Sequence, residues 1–368
     1  MIVLVLLLVV LLTSTLSIEI PLACKLINNN NDTCNWNKRI VSIGDVHGSY
    51  QGLLDVLYKA SIIKSSSTCE WLENKSSIET VLVQVGDIVD RGDGALESWE
   101  CLDKLQNTAR EGYEKVIRLI GNHELWWLTG AFHQRNSKSD TKSKMLQLVT
   151  SLKTNIINSN IVGSYLLNID NIDIVFVHAG FRQQYLDYLS KSKYYLSKYP
   201  TGVTPSSLVD FVNKEVINIV NNTQCINSFL PSKCYFNDGS DGQLYEAGKE
   251  RGGSNIGGPF WTDYSVIEDD ASKGPFKPDM IQIVGHSMAW CYDPRNPEIH
   301  PPESQAECSL GLIRPSNNMR SICVDGGMYA GARTYLEITS EKHFITHQLN
   351  HDGWKTRDLT QHFCSDSE

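Results

Sequence analysis

The segment RIVSIGDVHGSY, residues 39–50, decides the fold class. Its apolar run, residues 40–43, stops abruptly at Gly44, which is typical of a buried strand that ends in a turn. Asp45 and His47 follow one residue apart. A carboxylate and an imidazole placed directly after a buried strand indicate that the loop at this strand end carries function.

The same arrangement recurs along the first third of the chain. Two further apolar runs, TVLVQVG (80–86) and KVIRLIG (115–121), also end in glycine, and helical patterns of apolar residues occupy 51–60 and 95–110. The alternation of strand, loop and helix predicts an α/β layered domain with parallel strands.

Later parts of the chain return to strand character in separate blocks. The candidate strands are NIDIVFVHAG (171–180), MIQIVGH (280–286) and SICVDGG (321–327). The segments TYLEITS (334–340) and KHFITHQL (342–349) predict an antiparallel pair.

The regions between these strands are less regular. Residues 133–160 predict a helical insertion with a polar surface, and residues 183–220 predict helices that Pro200 and Pro205 interrupt. The Gly-, Ser- and Asp-rich residues 221–279 predict an irregular excursion.

These patterns predict one domain. We place it at residues 39–350, with insertions near 133–160 and 181–279. An irregular lead-in, residues 18–38, precedes the domain, and a C-terminal tail, residues 351–368, follows it.

The composition is that of a globular protein with an acidic surface. The chain has 368 residues, of which 41% are hydrophobic and 20% are charged, and its net charge is −9. Because no stripe of Lys and Arg accompanies this negative charge, we expect no nucleic-acid partner.

The N-terminus predicts export from the cytosol. Residues 1–17 contain an apolar core at 2–12, and Thr15 and Ser17 are small residues at the place of a cleavage site. We expect a secreted or endomembrane-lumen protein without a stable membrane span after cleavage. An uncleaved signal that anchors the protein in the membrane is the alternative.

Cysteines and glycosylation signals support the secretory route. The ten cysteines are even in number, and three pairs close in sequence make local disulfides plausible: Cys24/Cys34, Cys225/Cys234 and Cys291/Cys308. The pairing of Cys69, Cys101, Cys323 and Cys364 stays open. Sequons begin at Asn31, Asn74 and Asn221.

Polar motifs stand at the end of every strong strand. They are GDVHG (44–48), GDIVDRG (86–92), GNHE (121–124), HAG (178–180) and GH (285–286). The loops at the carboxyl ends of strands converge in open α/β sheets, so these side chains are expected to meet. Mixed carboxylate, amide and imidazole ligands suit two divalent first-row metal ions.

The motifs resemble those of the calcineurin-like metallophosphoesterase superfamily, and more closely those of the phosphoprotein phosphatase family, whose leading motifs read GDxHG, GDxxDRG and GNHE. Within that family the chain is most similar to the Shewanella-like protein phosphatases. The resemblance covers roughly residues 38–340. It implies a layered fold in which central mixed β-sheets form a sandwich flanked by helices, with the site at the strand carboxyl ends.

The resemblance also implies roles for particular residues. Two metal ions, expected to be manganese with iron or zinc as alternatives, would be held by Asp45, His47, Asp87, Asn122, His178 and His286, with Asp87 bridging. His123 would be the general acid, oriented by Asp90, and Arg91 would bind the phosphate. Glu124 is expected to cap the following helix or to support the ligands.

The family's second phosphate-binding arginine has no clear counterpart. In the animal-type enzymes it follows a segment whose nearest look-alike here is FWTDYS (260–265). Arg251 precedes that segment, which is the wrong order, and Arg182 is an equally open candidate.

We therefore expect a metal-dependent phosphatase that hydrolyses phosphomonoesters, with phosphoproteins as substrates, by in-line attack of a metal-bridging hydroxide. A hydrolase of nucleotides or small phosphate esters is the alternative. A non-catalytic binding protein on the same fold is a third reading, which the complete set of motif residues disfavours.

Overall fold

The computed structural model describes residues 36–73, 77–128, 142–221, 242–253, 256–288, 312–350 and 352–360. Two β-sheets pack against each other in this part of the chain, and helices cover the outside. None of the described helices is long and apolar enough to cross a bilayer.

The larger sheet has seven strands in the order β14-β13-β12-β1-β4-β5-β6. Their bounds are β1 Lys38–Ile43, β4 Glu79–Gln84, β5 Glu114–Leu119, β6 Ile161–Val162, β12 Thr334–Ile338, β13 Phe344–Asn350 and β14 Gly353–Asp358. Strands β1, β4, β5 and β6 run parallel, whereas β12, β13 and β14 join by antiparallel pairing.

The smaller sheet has five strands in the order β10-β11-β9-β8-β7. Their bounds are β7 Ser164–Ile169, β8 Ile172–Val177, β9 Ile281–Val284, β10 Arg314–Pro315 and β11 Ser321–Cys323. Strands β8, β9 and β11 are parallel neighbours. A separate two-stranded hairpin is formed by β2 Ile63–Ser65 and β3 Thr68–Trp71.

Eight α-helices occur in the described residues. They are α1 Tyr50–Lys59, α2 Ala95–Thr108, α3 Asn122–Leu128, α4 Lys142–Ile157, α5 Gln183–Leu189, α6 Lys193–Lys198, α7 Pro205–Asn221 and α8 Tyr264–Ser272. Helices α1, α2 and α3 each follow a strand of the parallel group, which places the loops before them at one edge of the sheet.

Burial of both faces of the strands explains why their sequences are continuous apolar runs. In β4, Val81 and Val83 enter a cluster shared with Phe176 and Ile283 of the smaller sheet. Leu82, between them, faces a second cluster that includes the helices. Because strand side chains alternate between faces, a strand covered on both sides must be apolar at nearly every position.

The structure confirms the predicted fold class, mixed sheets in a sandwich with flanking helices. The predicted antiparallel pair is also confirmed, with Leu336 of β12 opposite Thr346 of β13. Helices α5, α6 and α7 occupy the region 183–220 that the prolines were expected to interrupt.

Two expectations from sequence need correction. The predicted tail from residue 351 contains β14, which pairs with β13 along its whole length. Its sequence, GWKTRD, carries no apolar alternation because half of its residues are exposed and none is fully buried. The region 221–279, expected to be irregular, contains the helix α8.

One cysteine pair is resolved by the structure. Cys69 of β3 is bonded to Cys101 of α2, which ties the hairpin to the helix layer, and Cys323 is buried with a free thiol. The three local pairs predicted from sequence, the export signal and the sequons at Asn31 and Asn74 lie outside the described residues. Asn221, at the end of α7, is exposed.

A single buried carboxylate connects two of the strand-end loops. Glu124, 1% exposed, accepts hydrogen bonds from the amides of Asp87 and Ile88 at 2.8 Å each and of Val89 at 3.1 Å. It also accepts one from the amide of Gly121 at 2.8 Å, which caps α3. Glu124 therefore fulfils both of its expected roles, as a helix cap and as a support for the loop after β4.

We predict that Glu124→Gln lowers the free energy of unfolding by about 3 kcal/mol, because an amide side chain turns an N–H group toward backbone donors that need an acceptor. Urea-induced unfolding measures the change. Glu100→Gln is the matched control, since Glu100 is exposed on α2. Equal stability of the two variants would contradict the role assigned to Glu124.

Candidate active site

The structure brings all six predicted metal ligands to one edge of the sandwich. Asp45 and His47 follow β1, Asp87 follows β4, and Asn122 follows β5, whereas His178 and His286 follow β8 and β9 of the smaller sheet. Five of the six are at most 2% exposed, and His286 is partly buried. The site thus lies where the carboxyl ends of parallel strands from both sheets meet.

Asp87 occupies the centre of the cluster. Its Oδ2 lies 3.5 Å from Nε2 of His47 and 3.4 Å from Nε2 of His178. Nε2 of His47 is also 3.8 Å from Oδ2 of Asp45. Oδ1 of Asn122 lies 2.9 Å from both Nε2 of His178 and Nδ1 of His286. This arrangement places one carboxylate between two groups of donors, as expected for a bridging ligand.

The donor atoms fit divalent cations. Nδ1 of His47 faces the carbonyl oxygen of Val89 at 2.8 Å, and Nδ1 of His178 faces that of Val85 at 2.9 Å. A carbonyl oxygen only accepts, so each Nδ1 carries a proton and each Nε2 faces the cluster. A cation shared by Nε2 of His178 and Oδ1 of Asn122 would displace the proton that Asp87 otherwise stabilises on this ring.

Two groups of side chains are close enough to hold an ion each. The ligand atoms of His47, Asp87 and His123 lie within 4.8 Å of one another, and so do those of Asp87, His178 and His286. Nε2 of His286 has no hydrogen-bond partner among the described residues.

The electrostatics of the cluster also favour added positive charge. Burial, together with the carboxylate of Asp325, raises the pKa of Asp45 well above its usual range. Burial lowers the pKa of His47 to about 3. Burial also disfavours the charged form of His178, but the neighbouring Asp87 carboxylate outweighs it and raises the pKa of His178 to about 10. Cations among these carboxylates would offset the cost of burying their charge.

Asp325 is a site residue that the sequence analysis missed. It is 3% exposed, it follows β11, and burial raises its pKa to about 6. A signal existed: in SICVDGG the aspartate stands between a strand and two glycines, as Asp45 stands after β1.

His123 is held by two carboxylates. Its Nδ1 lies 2.7 Å from Oδ2 of Asp90, and its backbone N–H donates to Oδ1 of Asp87 at 2.9 Å. Its Nε2 is 3.9 Å from Oδ2 of Asp87, at the metal cluster. The ring therefore has one nitrogen bound to a carboxylate, and the other faces the metal-ligand cluster.

The loops that carry these residues interlock through their backbones. The amides of Val46 and His47 donate to the carbonyl oxygen of Asp87 at 3.0 and 2.9 Å, and the amide of Gly92 donates to that of His47 at 2.8 Å. A Cβ atom added to Gly48 would lie 2.5 Å from the carbonyl oxygen of Gly92, so only glycine fits this approach.

Several site residues adopt left-handed backbone conformations that non-glycine residues rarely adopt. The φ angles are 46° at His47, 55° at Asp87, 68° at Asp90, 67° at Arg91 and 65° at His286. Each costs about 1 kcal/mol or more, so the surrounding hydrogen bonds must hold these residues in place.

A cavity of about 370 Å³ opens beside the cluster. Its lining includes Arg91, whose guanidinium lies 4.6 Å from the ring centre of Tyr329. Arg251 also lines it and is held by Asp263 and by Oγ of Ser287, each at 2.8 Å.

Arg251 thus lines the cavity although it precedes the segment 260–265 in the chain. Arg182, the other candidate, pairs instead with Glu250 at 3.3 Å and with the carbonyl oxygen of Ile256 at 2.8 Å.

Two partly buried tryptophans also lie against the cluster. The ring of Trp126 lies 4.9 Å from that of His123 and 4.7 Å from that of Trp261, centre to centre. Trp261 in turn lies 5.8 Å from the ring of His286. An apolar wall thus stands beside His123, whereas the arginines line the cavity.

Curated relatives match part of the chain. It is 34% identical over 110 residues to Shewanella-like protein phosphatase 1 of Plasmodium berghei (strain Anka), which is 30% of this chain and 29% of that protein. It is 34% identical over 101 residues to Shewanella-like protein phosphatase 2 of Arabidopsis thaliana, 27% of this chain and 24% of that protein. The chain thus spans less than a third of the length of each relative.

The fold as a whole matches a solved structure. The cold-active protein-tyrosine phosphatase of a psychrophilic Shewanella species superposes with a TM-score of 0.51 at 18% identity, over 88% of this chain and 82% of that one. Identity at this level supports the shared fold alone.

The family comparison agrees with the geometry of the site. Residues 38–228, more than half of the chain, match the calcineurin-like phosphoesterases, and they include five of the six clustered ligands. The chain belongs to the calcineurin-like phosphoesterase family.

Proposed function

We propose that this phosphoesterase is a metal-dependent phosphatase that acts on phosphomonoesters carried by proteins. The observation that supports the proposal is the convergence of six ligand side chains and the His123–Asp90 pair at one edge of the sandwich, beside a cavity that Arg91 lines. Each group has a distinct task in transferring a phosphoryl group to water.

Asp45, His47, Asp87, Asn122, His178 and His286 would hold two divalent ions, of which manganese is our first choice and iron or zinc the alternative. Two such ions, when bound, lower the pKa of water and neutralise charge on the phosphoryl oxygens. The protein's part is to fix the ligands through the interlocked loops, so that little reorganisation is needed during the reaction.

Arg91 and Arg251 would bind the phosphate. A guanidinium can donate two parallel hydrogen bonds to phosphoryl oxygens, and Tyr329 supports the guanidinium of Arg91 from one face. Arg251 is paired with Asp263, which holds it at the cavity. Both arginines would stabilise the charge that spreads over these oxygens as the ester bond breaks.

His123 would donate a proton to the leaving oxygen. Its Nδ1–H would be bound to Asp90, which gives the imidazole a fixed orientation. Nε2 then carries the transferable proton and faces the metal cluster.

The substrate class rests on the surroundings of the cluster. The two curated relatives described above are named protein phosphatases, and the apolar wall of Trp126 and Trp261 offers a surface for the side chain or backbone next to the ester. Nucleotides and small phosphate esters remain the second candidate, because the cavity of about 370 Å³ also accommodates a small ester.

We further propose that the protein enters the secretory route through residues 1–17 and reaches the lumen or the exterior. Exposed Asn221 would then be available for glycosylation. Mass spectrometry of the protein purified from its own cells distinguishes a cleaved signal from a retained anchor.

We predict that the manganese-loaded protein hydrolyses p-nitrophenyl phosphate and that Asp87→Asn lowers the turnover more than about 100-fold, because it removes the shared carboxylate charge. His123→Ala, with manganese still bound, should lower kcat about tenfold for p-nitrophenyl phosphate, whose leaving group is a weak base, and at least about 100-fold for esters with more basic leaving groups. Asp93→Asn, an exposed carboxylate of the same loop, is the control.

The metal content of each variant is measured alongside its kinetics. A wild-type protein that binds two ions yet hydrolyses no phosphomonoester would support the non-catalytic binding protein instead. A higher kcat/KM for nucleotides than for phosphoserine and phosphotyrosine peptides would favour the second candidate substrate class.

We predict that Arg91→Ala and Arg251→Ala each raise KM for p-nitrophenyl phosphate and weaken competitive inhibition by inorganic phosphate by about tenfold or more, since each removes a charged donor. Arg182→Ala should change either constant less than about twofold, because Arg182 is engaged elsewhere. If Arg182→Ala changed KM and phosphate inhibition more than Arg251→Ala does, the second phosphate-binding arginine would be Arg182.

A further inference from the structure

Both oxygens of the Asp90 carboxylate are engaged. Oδ2 lies 2.7 Å from Nδ1 of His123, and Oδ1 accepts a hydrogen bond from the indole N–H of Trp127 at 2.8 Å. All three residues are at most 4% exposed. The proposed catalytic pair, His123 and Asp90, is therefore joined by a third buried residue, because the indole of Trp127 also binds Asp90.

The placement of Trp127 follows from the helix that carries the proposed acid. His123 and Trp127 are four residues apart on α3, so their side chains lie on the same face of the helix, and both reach the same carboxylate. The start of α3 is fixed by the hydrogen bond from Gly121 to Glu124. The carboxylate of Asp90 thus contacts α3 at two side chains, those of His123 and Trp127.

A carboxylate bonded at one oxygen can still rotate about its Cβ–Cγ bond, because this torsion has broad minima. A second donor on the other oxygen fixes the plane of the group. In Asp90, whose backbone is left-handed with φ at 68°, the direction of Oδ2 depends on the contacts that hold the side chain. The indole N–H of Trp127 provides that restraint.

We propose that Trp127 is a positioning residue that acts through Asp90 to keep His123 oriented for proton donation. Trp127 does not contact the reacting atoms, and the inference rests on the function proposed above. The alternative is that the indole only fills the core and finds a partner for its buried N–H, as buried tryptophans usually do.

Proton donation matters most when the leaving group is poor. Phenolate is a stronger base than p-nitrophenolate, so phenyl phosphate needs the acid more than p-nitrophenyl phosphate does. The two esters differ little in shape, so their binding is comparable. A misplaced acid should therefore slow phenyl phosphate selectively, whereas a partly unfolded protein should slow both esters equally.

The test is Trp127→Phe in the manganese-loaded full chain, with both esters as substrates. We expect kcat for phenyl phosphate to fall about tenfold or more and kcat for p-nitrophenyl phosphate to fall less than about threefold, with KM unchanged within about twofold. Trp127→His, which retains a ring N–H, should lie closer to the wild type in the ratio of the two rates.

Trp71→Phe is the matched control. The indole N–H of Trp71 is also buried and donates to the carbonyl oxygen of Leu105 at 2.8 Å, so the same chemical change is made away from Asp90. We expect it to leave the ratio of the two rates unchanged. Thermal unfolding of each variant reports the stability separately.

A double-mutant cycle with Asp90→Asn tests the route of action. Once Asp90 is changed, Trp127→Phe should have no further effect on the rate ratio. An equal loss on both esters, a rise in KM as the main effect, or full additivity with Asp90→Asn would each overturn the inference. If Trp127→Phe does not fold, Trp127→Met and Trp127→His give the same comparison without and with a ring N–H.

Failure of the inference is distinguishable from failure of the proposed function. If His123→Ala slows phenyl phosphate selectively and Trp127→Phe does not, only the role of Trp127 is wrong. If the wild-type protein hydrolyses neither ester, or if His123→Ala affects both equally, the acid role of His123 fails and the inference fails with it.

Discussion

The site depends on the carboxylate of Glu124, which accepts four backbone hydrogen bonds from two loops. Burying a carboxylate is expensive, and here the amides that surround it compensate for the lost hydration. The loop after β4 is thereby fixed relative to the start of α3. This matters because Asp87 and Asp90 lie on the first and Asn122 and His123 on the second, so ligands and proposed acid share one rigid support.

Strain and charge are concentrated at the same place. Asp87, Asp90 and Arg91 have left-handed backbones, and their side chains point into a cluster of buried carboxylates and imidazoles that is stable only if its charges are balanced. If this site had no function, the protein would gain stability by losing both the left-handed backbone conformations and the buried charges. Strained conformations that persist within a network of buried hydrogen bonds are typical of sites organised in advance for binding or reaction.

The surroundings divide the site into two halves with different chemistry. Arg91 and Arg251 line the cavity, where a phosphate would lie, and Trp126 and Trp261 form an apolar wall beside His123. The proposed acid stands between the two halves, which is where the oxygen that joins phosphate to its carrier would be. Trp127 lies behind the acid and restrains it through Asp90.

The sequence by itself determined the buried strands that precede the motifs, the parallel grouping of β1, β4 and β5, and the set of polar residues at the ends of these strands. These are local features: apolar runs stop at glycines, and the motif residues lie within a few positions of each stop. The contacts made by segments that return from far along the chain were decided only by the tertiary structure. Arg251 reaches the cavity against the expected order, β14 adds an exposed edge strand, and Cys69 meets Cys101. Asp325 and Trp127 acquire their partners only when separate loops meet. No local pattern encodes such pairings, because they depend on how the two sheets and the helices pack in space.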